Sequence, residues 1–489
     1  MAEYKYGVYG VIGNDIAQNA PQAGMAPIYF GTAPVNFLYD HTSTVNVPVK
    51  ISNLSDAQKK LGHFSDSSMW SKYTLCEAVA AHFANKNGNV GPIYVINVLD
   101  PDTHTKTAST TKSLTFANKK ATIETKDIII SSFAIAGKVR GTDYDLDYDF
   151  GTGVLTITDK GATAMTTISA TYYEIDFSKV TATTVIGETK TDGSVSGIAA
   201  LKLVYHNCNV IPTYLAAPGW SDKKAVYDAL VSASQNINGH WCAFVYADIP
   251  TDSTTKDIAT AKAWKNTNGY NSGFSKVYWP MVKDGDDTVY HLSTIALVEK
   301  LRCDLANDDV PFETEGNKTI PVTGLYFGAG VKTPGFDKSD AKDLTSNGIS
   351  TVIYWEGNWR LWGDHTAAYK YGGSHKAREI FDVNMLMLLY IANSFQKEWG
   401  TTIDKPMTLA LRDTILIREQ EKLDVLVAKG ALIGAPSVEF VETNNATEDM
   451  MNGDFRWDIS ATITPPLKSA TGVVCYTDAG FSSYFGGDN

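Results

Sequence analysis

The 489-residue chain is too long for one ordinary core, and at about 150 residues per domain it suggests roughly three. Apolar residues make up 44% and charged residues 20%, a globular rather than a disordered composition. The net charge of −12 excludes the basic footprint a nucleic-acid partner requires.

The start, "MAEYKYGVYGVIGNDIAQ", has no basic stretch followed by a long apolar run, so no secretory signal is expected. Within it, "EYKYGVYGVIG" reads as a short apolar strand carrying Tyr6, Val8, Tyr9, Val11 and Ile12. "TLCEAVAAHFANKNGN" then reads as a helix leading through a turn into the strand "PIYVINVL". From 101 to 193 the texture changes. Proline is absent between Pro101 and Pro212, tryptophan is absent between Trp70 and Trp220, and threonine crowds runs such as "ATAMTTISATYYEI". Threonine, isoleucine and tyrosine favour strands, and "GTD", "GTG" and "DKG" interrupt them as turns, which predicts a separate all-β, sandwich-like domain.

Alternating elements resume with the strand "IPTYLAA" and a helix over "PGWSDKKAVYDALVSASQNIN", with Ser221 as N-cap. "WCAFVYADIP", "DIATAKAWKNTN", "SKVYWP" and "HLSTIALVEKLRCDL" continue as strand, helix, strand, helix. That alternation is α/β, and the strand before residue 101 needs the strands after 193, so the β domain reads as an insertion into an α/β core. Two long helices follow. One is predicted from about His375 to Trp399, capped by Ser374, and one from about Pro406 to Lys429, with Gly430 just past its end. The apolar run Met385 to Ala392 is eight residues long, against roughly 18 or more for a membrane span, so no membrane insertion is expected. "PSVEFVET" and "FRWDISATITPP" alternate like paired strands, and "TGVVCY", with Val473, Val474, Cys475 and Tyr476, is one more short apolar strand near the end.

Motifs for chemistry are incomplete. "GTDYDLDYDFGTG" offers Asp143, Asp145, Asp147 and Asp149, but a calcium loop needs glycine at position six and glutamate at twelve; these fall on Tyr148 and Val154, or on Phe150 and Thr156. The two-residue period there instead describes a strand solvated on one face. "GLYFGAGVKT" lacks the glycine spacing of a phosphate loop, and no G-x-S-x-G or H-E-x-x-H is present. The five cysteines are far apart in mostly apolar surroundings, which predicts buried reduced thiols in a cytoplasmic product. Asp364 beside His365 could form a general base, but a hydrogen-bonded structural pair is the better reading. No catalytic residue, metal site or cofactor is expected. In "STVIYWEGNWRLWG", Trp355, Trp359 and Trp362 are read as a core packing joint, because large aromatics are on average well buried.

This stretch also carries a resemblance. "NGISTVIYWEGNWRLWGDHT" resembles a segment of contractile phage tail sheath proteins, in which a glycine-isoleucine strand leads through a glycine turn to an arginine-x-tryptophan-glycine run. "YLAAPGWSDKKAVYDALVSASQ", "GTDYDLDYDFGTGVLTI" and "LDVLVAKGALIGAPSVEFVETNN" with "MNGDFRWDISATITPP" are similar to further parts of that family, in order. Two places depart from it: position 365 is histidine where arginine is common, and "HLSTIALVEKLRCDLANDDVPFETEGNKTIPVTGL" replaces a proline-serine-glycine run. The resemblance implies an α/β (α+β) sheath core with an inserted all-β sandwich-like domain and exchanged terminal strands. The corresponding division is an N-terminal arm 1–22, core 23–100 and 194–366, insertion 101–193, C-terminal sheath domain 367–468 and C-terminal arm 469–489. It further implies a homo-oligomer of six-membered rings stacked into a tube, with an inner tail tube protein, a baseplate and a tail terminator as partners. Such a subunit is assembled in the host bacterial cytoplasm, resides in the virion tail, and contracts to drive the tube through an envelope for genome ejection. The charged helix Leu411 to Lys422 is a candidate tube contact, but a solvated helix face is the better reading. The alternatives are the sheath of a phage-tail-like bacteriocin or injection system, a surface adhesin or surface-layer protein, and an enzyme using Asp364 and His365.

Overall fold

The computed structural model describes residues 24–331 and 336–484. Its backbone is an eight-stranded sheet. The chain enters through β1 (Ala26–Gly31), then β2 (Pro48–Ile51), helices α1 (Leu54–Leu61) and α2 (Leu75–Phe83), and β3 (Ile93–Asn97). Six strands follow: β4 (Thr110–Thr115), β5 (Lys120–Glu124), β6 (Ala134–Ile135), β7 (Tyr144–Asp149), β8 (Val154–Asp159) and β9 (Thr167–Tyr172). Two short helices, α3 (Ala182–Ile186) and α4 (Val204–Cys208), lead back to the sheet. There β10 (Pro212–Ala216), α5 (Lys224–Ser234), β11 (Phe244–Asp248), α6 (Ile258–Thr267) and β12 (Ser275–Tyr278) alternate as the apolar runs predict. A small antiparallel sheet of β13 (Met281–Lys283), β14 (Val289–Tyr290) and β15 (Gly324–Tyr326) brackets α7 (Leu292–Ala306). Then come α8 (Lys338–Thr345) and the hairpin β16 (Ile349–Trp355) and β17 (Asn358–Trp362). The last part holds α9 (Asp382–Trp399), α10 (Leu409–Ala428), β18 (Leu432–Glu439), α11 (Thr447–Asn452), β19 (Asp458–Ile463) and α12 (Ala479–Tyr484).

The large sheet runs β17-β16-β12-β11-β10-β1-β3-β2. Neighbours from β16 to β3 are parallel, and the two edge strands are antiparallel. Every residue of β1, β3, β11 and β12 is buried, as expected where both faces of a parallel sheet are covered. At the β17 edge, the segment 317–320 runs alongside: Asn317 N–H donates to Leu361 O and Leu361 N–H to Lys318 O.

Region 101–193 carries two three-stranded antiparallel sheets, β4-β9-β6 and β5-β8-β7. Asp145, Asp147 and Asp149 are exposed on β7 while Tyr144 and Tyr148 are buried. This is the solvated-face strand inferred from the two-residue period. The buried side chains of these sheets are continuous with the main core. Phe37 stacks on Tyr148 at 4.2 Å, Tyr73 Oη donates to Lys126 O at 2.8 Å, and Asn36 Nδ2 donates to Ile128 O at 2.8 Å.

Several expectations need correction. Helix α9 starts at Asp382, not His375, and Ser374 does not cap it. The reason is tertiary pairing: His365 bridges Phe381, and Asp382 N–H donates to Asp364 O, so 375–381 is drawn alongside 364–366 before the helix begins. Helix α10 is capped by Thr408, whose side chain accepts from Leu411 N–H, so Pro406 lies outside it; Gly430, at φ 78°, ends it as expected. Ser221 does not cap α5, which starts at Lys224; its hydroxyl instead accepts from Asp248 N–H. Of the cysteines, Cys76 and Cys303 are buried and Cys208 and Cys242 half-buried, but Cys475 is exposed.

Candidate functional site

In an open α/β sheet, ligands are held at the carboxyl ends of the strands, where neighbouring connections diverge. Here that point lies between β1 and β10, because the chain leaves β1 toward β3 and leaves β10 toward β11. Side chains fill it. Thr32 Oγ1 donates to Lys72 O at 2.6 Å, Thr32 N–H reaches Thr74 Oγ1, and Thr74 N–H reaches Thr32 Oγ1. A Cβ placed on Gly31 would lie 2.3 Å from Thr74 Oγ1. Beside it, His291 Nδ1 meets Glu77 Oε2 at 2.7 Å, and Asp248 accepts from Ser293 N–H at 3.0 Å and Ser293 Oγ at 2.5 Å. Burial pushes Asp248 up to about 6, partly offset by His291. Burial opposes a charge on His291, but Glu77 outweighs it and lifts the imidazole to about 9.

A second polar cluster joins the sheet to the last third of the chain. Lys276 on β12 is fully buried, with Nζ 2.5 Å from Glu315 Oε1 and 2.6 Å from Asp382 Oδ2 at the start of α9. Tyr278 Oη donates to Glu315 Oε1 at 2.5 Å, and Thr314 Oγ1 donates to Asp382 Oδ2 at 3.0 Å. Next to it Lys300 pairs with Asp304 at 2.7 Å and donates to Glu313 O at 2.8 Å, while Tyr214 Oη donates to Asp304. Burial works against the Lys276 charge, yet Asp382 and Glu315 hold its pKa above the ordinary lysine value. Glu315 is opposed by burial too, but Lys276 pulls it below the ordinary range; at Asp382 burial wins and the pKa rises. Sequence reading missed this cluster. The signal was a lysine inside "SKVYW", a strand that must be buried on both faces.

The tryptophan hairpin divides. Trp359 is half-buried against the core and meets Tyr354 edge-on at 5.4 Å; Trp362 is also half-buried. Trp355 is a correction to the packing joint: it is 48% exposed, beside Tyr354 at 59%. The strand runs past the sheet before the "EGN" turn, so its last two side chains leave the core; Lys338 Nζ sits 5.5 Å from the Trp355 ring. The glycines of this stretch have steric causes. Gly348 has φ 63°, and a Cβ there would lie 2.6 Å from Tyr369 O; at Gly363, with φ 135°, it would lie 2.9 Å from Ser350 Cα. His365 is buried between Tyr369, stacked nearly parallel with ring centroids 3.5 Å apart, and Phe381 at 5.3 Å. Its Nδ1 hydrogen-bonds Ile380 O at 2.8 Å, Nε2 stands 3.6 Å from Asp364, and burial lowers its pKa to about 4. The pair is thus built into the packing of 364–381.

The terminal segments differ in what is described. Tyr6, Val8, Tyr9, Val11 and Ile12 lie outside the described residues. Val473, Val474 and Tyr476 are 80–96% exposed, and with Cys475 they pair with no strand among the described residues. Among the described residues, β18 and β19 form a two-stranded sheet.

The fold is that of contractile sheath subunits. It matches a chain in the cryo-EM structure of the anti-feeding prophage baseplate, six-fold symmetrised, at TM-score 0.57 and 15% identity, covering 98% of this chain and 99% of that one. It also matches the contracted PVC sheath complex of an extracellular contractile injection system, at TM-score 0.54 and 14% identity over 98% of both chains. In sequence, the tail sheath protein of Burkholderia phage BcepMu is 26% identical over 461 residues, 90% of either chain. The chain is thus similar in sequence to phage tail sheath proteins. No family model matches the sequence, and the adhesin alternative finds no support among these relatives.

Proposed function

We propose that this chain is the structural subunit of a contractile tail sheath, polymerising around an inner tube and contracting to drive that tube through a cell envelope. The carrying observation is the homology to a phage tail sheath protein along nine-tenths of both chains. In this reading the subunits form six-membered rings stacked into a tube, bounded by a baseplate and a tail terminator, in a virion tail assembled in the bacterial cytoplasm. Residues 101–193 form an inserted domain that faces outward.

The terminal strands are proposed to exchange between copies. Two features support this: an exposed apolar run at 473–476, and the two-stranded sheet β18–β19, since two-stranded sheets are marginal in water and gain from an added strand. Such head-to-tail contacts repeat into rings or helices rather than closing a dimer. The free energy of contraction is then held in subunit interfaces, with no nucleotide or catalytic residue involved.

Negative-stain electron microscopy of concentrated protein, alone and co-expressed with its tube protein, tests the proposal. Rings or striated tubes are expected; monomers under both conditions would defeat it. Deleting Met1–Gly13 should stop polymerisation while leaving a folded monomer, and a truncated chain that still forms tubes would remove the N-terminal arm from the mechanism. A second reading, the sheath of a bacteriocin-type or injection particle, is favoured by the fold match to the contracted injection-system sheath. Neighbouring capsid and terminase genes would reject it in favour of a phage.

A further inference from the structure

We infer that His41, Asp100 and Asp102 bind one divalent transition cation of the zinc type at the base of the β-rich region. His41 precedes the short turn Thr42–Thr44, and the two aspartates follow β3 where the chain leaves the large sheet. One ligand atom from each residue lies within 4.8 Å of the others.

The imidazole is the informative member. His41 is 6% exposed, and neither of its buried ring nitrogens makes a hydrogen bond. Nε2 is turned toward Asp102 Oδ2 at 3.2 Å. That contact is at ion-pair distance but lacks hydrogen-bond geometry. In a tetrahedral zinc site with bonds of about 2.0–2.2 Å, adjacent donors stand roughly 3.3 Å apart. The His41–Asp102 spacing is close to that edge, and the Asp100 carboxylate, within 4.8 Å of both, would move inward to complete the face.

The aspartates are held but not used up. Asp100 Oδ1 accepts from Asp102 N–H at 3.0 Å, and Oδ2 accepts from Thr103 Oγ1 at 3.0 Å, leaving further lone pairs on both oxygens. The Asp102 side chain is 70% exposed, which gives the ion an entry path and a position for water. Calcium and magnesium prefer all-oxygen shells, whereas an imidazole with two carboxylates suits zinc and its neighbours. A bound ion would tie the segment before β2 to the turn after β3. Next to that turn, Asp176 N–H donates to His104 O across the neck of the β-rich region. The inference does not rest on the sheath reading.

The test is calorimetric titration of EDTA-dialysed full-length protein with zinc chloride, repeated with calcium chloride, followed by melting curves with and without zinc. Wild-type protein should bind one zinc more tightly than calcium and melt at a higher temperature with it. His41→Gln and Asp102→Asn should each weaken that binding by at least about tenfold. Asp102 is exposed, so its variant keeps the fold even if the His41 variant does not. Absence of zinc binding by the wild type, undiminished zinc affinity in Asp102→Asn, or tighter binding of calcium would each overturn the assignment.

Discussion

Replacing Lys276 with methionine tests whether the buried charge cluster holds the last third of the chain to the sheet. Methionine approximates the volume but leaves Glu315 and Asp382, both essentially unexposed, without their shared cation. Breaking a buried ion pair by removing one partner costs about 3–5 kcal/mol. If the sheet melts as a cooperative unit of 150–250 residues, the melting temperature falls by roughly 6–20 °C. The defect should depend on pH. Without the cation both folded carboxyls take pKa values above their unfolded ones. The penalty is then full above the raised folded values and shrinks as pH falls toward the unfolded carboxylate range, where both states are protonated. The triple variant Lys276→Met, Glu315→Gln, Asp382→Asn removes the charges together and should recover much of the loss. Calorimetric melting at pH 7.5 and 5 reads all of this, and hydrogen exchange at the first turn of α9 locates it. A single variant melting within about 2 °C of wild type, which is about 1 kcal/mol or less, would refute the reasoning.

Other consequences are simpler to measure. Because His291 is raised to about 9 against an ordinary 6.5, its contribution is complete below pH 6.5 and lost as pH rises through 9; melting temperature should decline there, and less steeply in His291→Gln. Trp355→Ala should change monomer stability by no more than about 0.5 kcal/mol, as for other exposed sites, whereas Leu361→Ala on the next strand, 2% exposed, should cost about 2–5 kcal/mol in denaturant titration. Gly363→Ala combines φ 135° with a close approach to Ser350, and should cost more than about 1 kcal/mol by the same measurement. Deleting 469–489 should abolish tubes in electron micrographs while leaving a folded monomer; tubes formed by the truncated chain would exclude the C-terminal segment from assembly.

The sheet was legible where local pattern and final environment agree. "PIYVINVL", "IPTYLAA" and "WCAFVYADIP" are continuous apolar runs because a parallel strand is buried on both faces, and they became β3, β10 and β11. The aspartate alternation of β7 was equally readable, since one face is wet. What failed were boundaries set by distant partners. Residues 375–381 have helical composition, yet pairing with 364–366 and the recruitment of Asp382 by Lys276 postpone α9 to residue 382. Ser221 looks like a cap in sequence, but the backbone of Asp248 claims its hydroxyl. A lysine in a strand buried on both faces hinted at the Lys276 cluster, but its partners, like those of His291, could not be read because they come from elements far apart along the chain.

The placement of polar groups bears on where the function lies. Thr32, Thr74, Glu77, Asp248, Ser293 and His291 gather at the carboxyl ends of the strands, where an open α/β sheet would receive a ligand, and they are spent on one another and on the main chain. The glycines of "NGIS" and "RLWGD" are likewise explained by close backbone approaches inside the fold. Strand-forming surface is also left exposed: an apolar run at 473–476 facing water, the two-stranded sheet β18–β19, and an aromatic hairpin tip at Tyr354 and Trp355. Under the proposed strand exchange, surface of this kind on one copy gains most when another copy supplies the missing strand. Buried ion pairs from Lys276 tie the sheet to the start of α9; under the proposed sheath function they would keep these parts together while contacts between copies change.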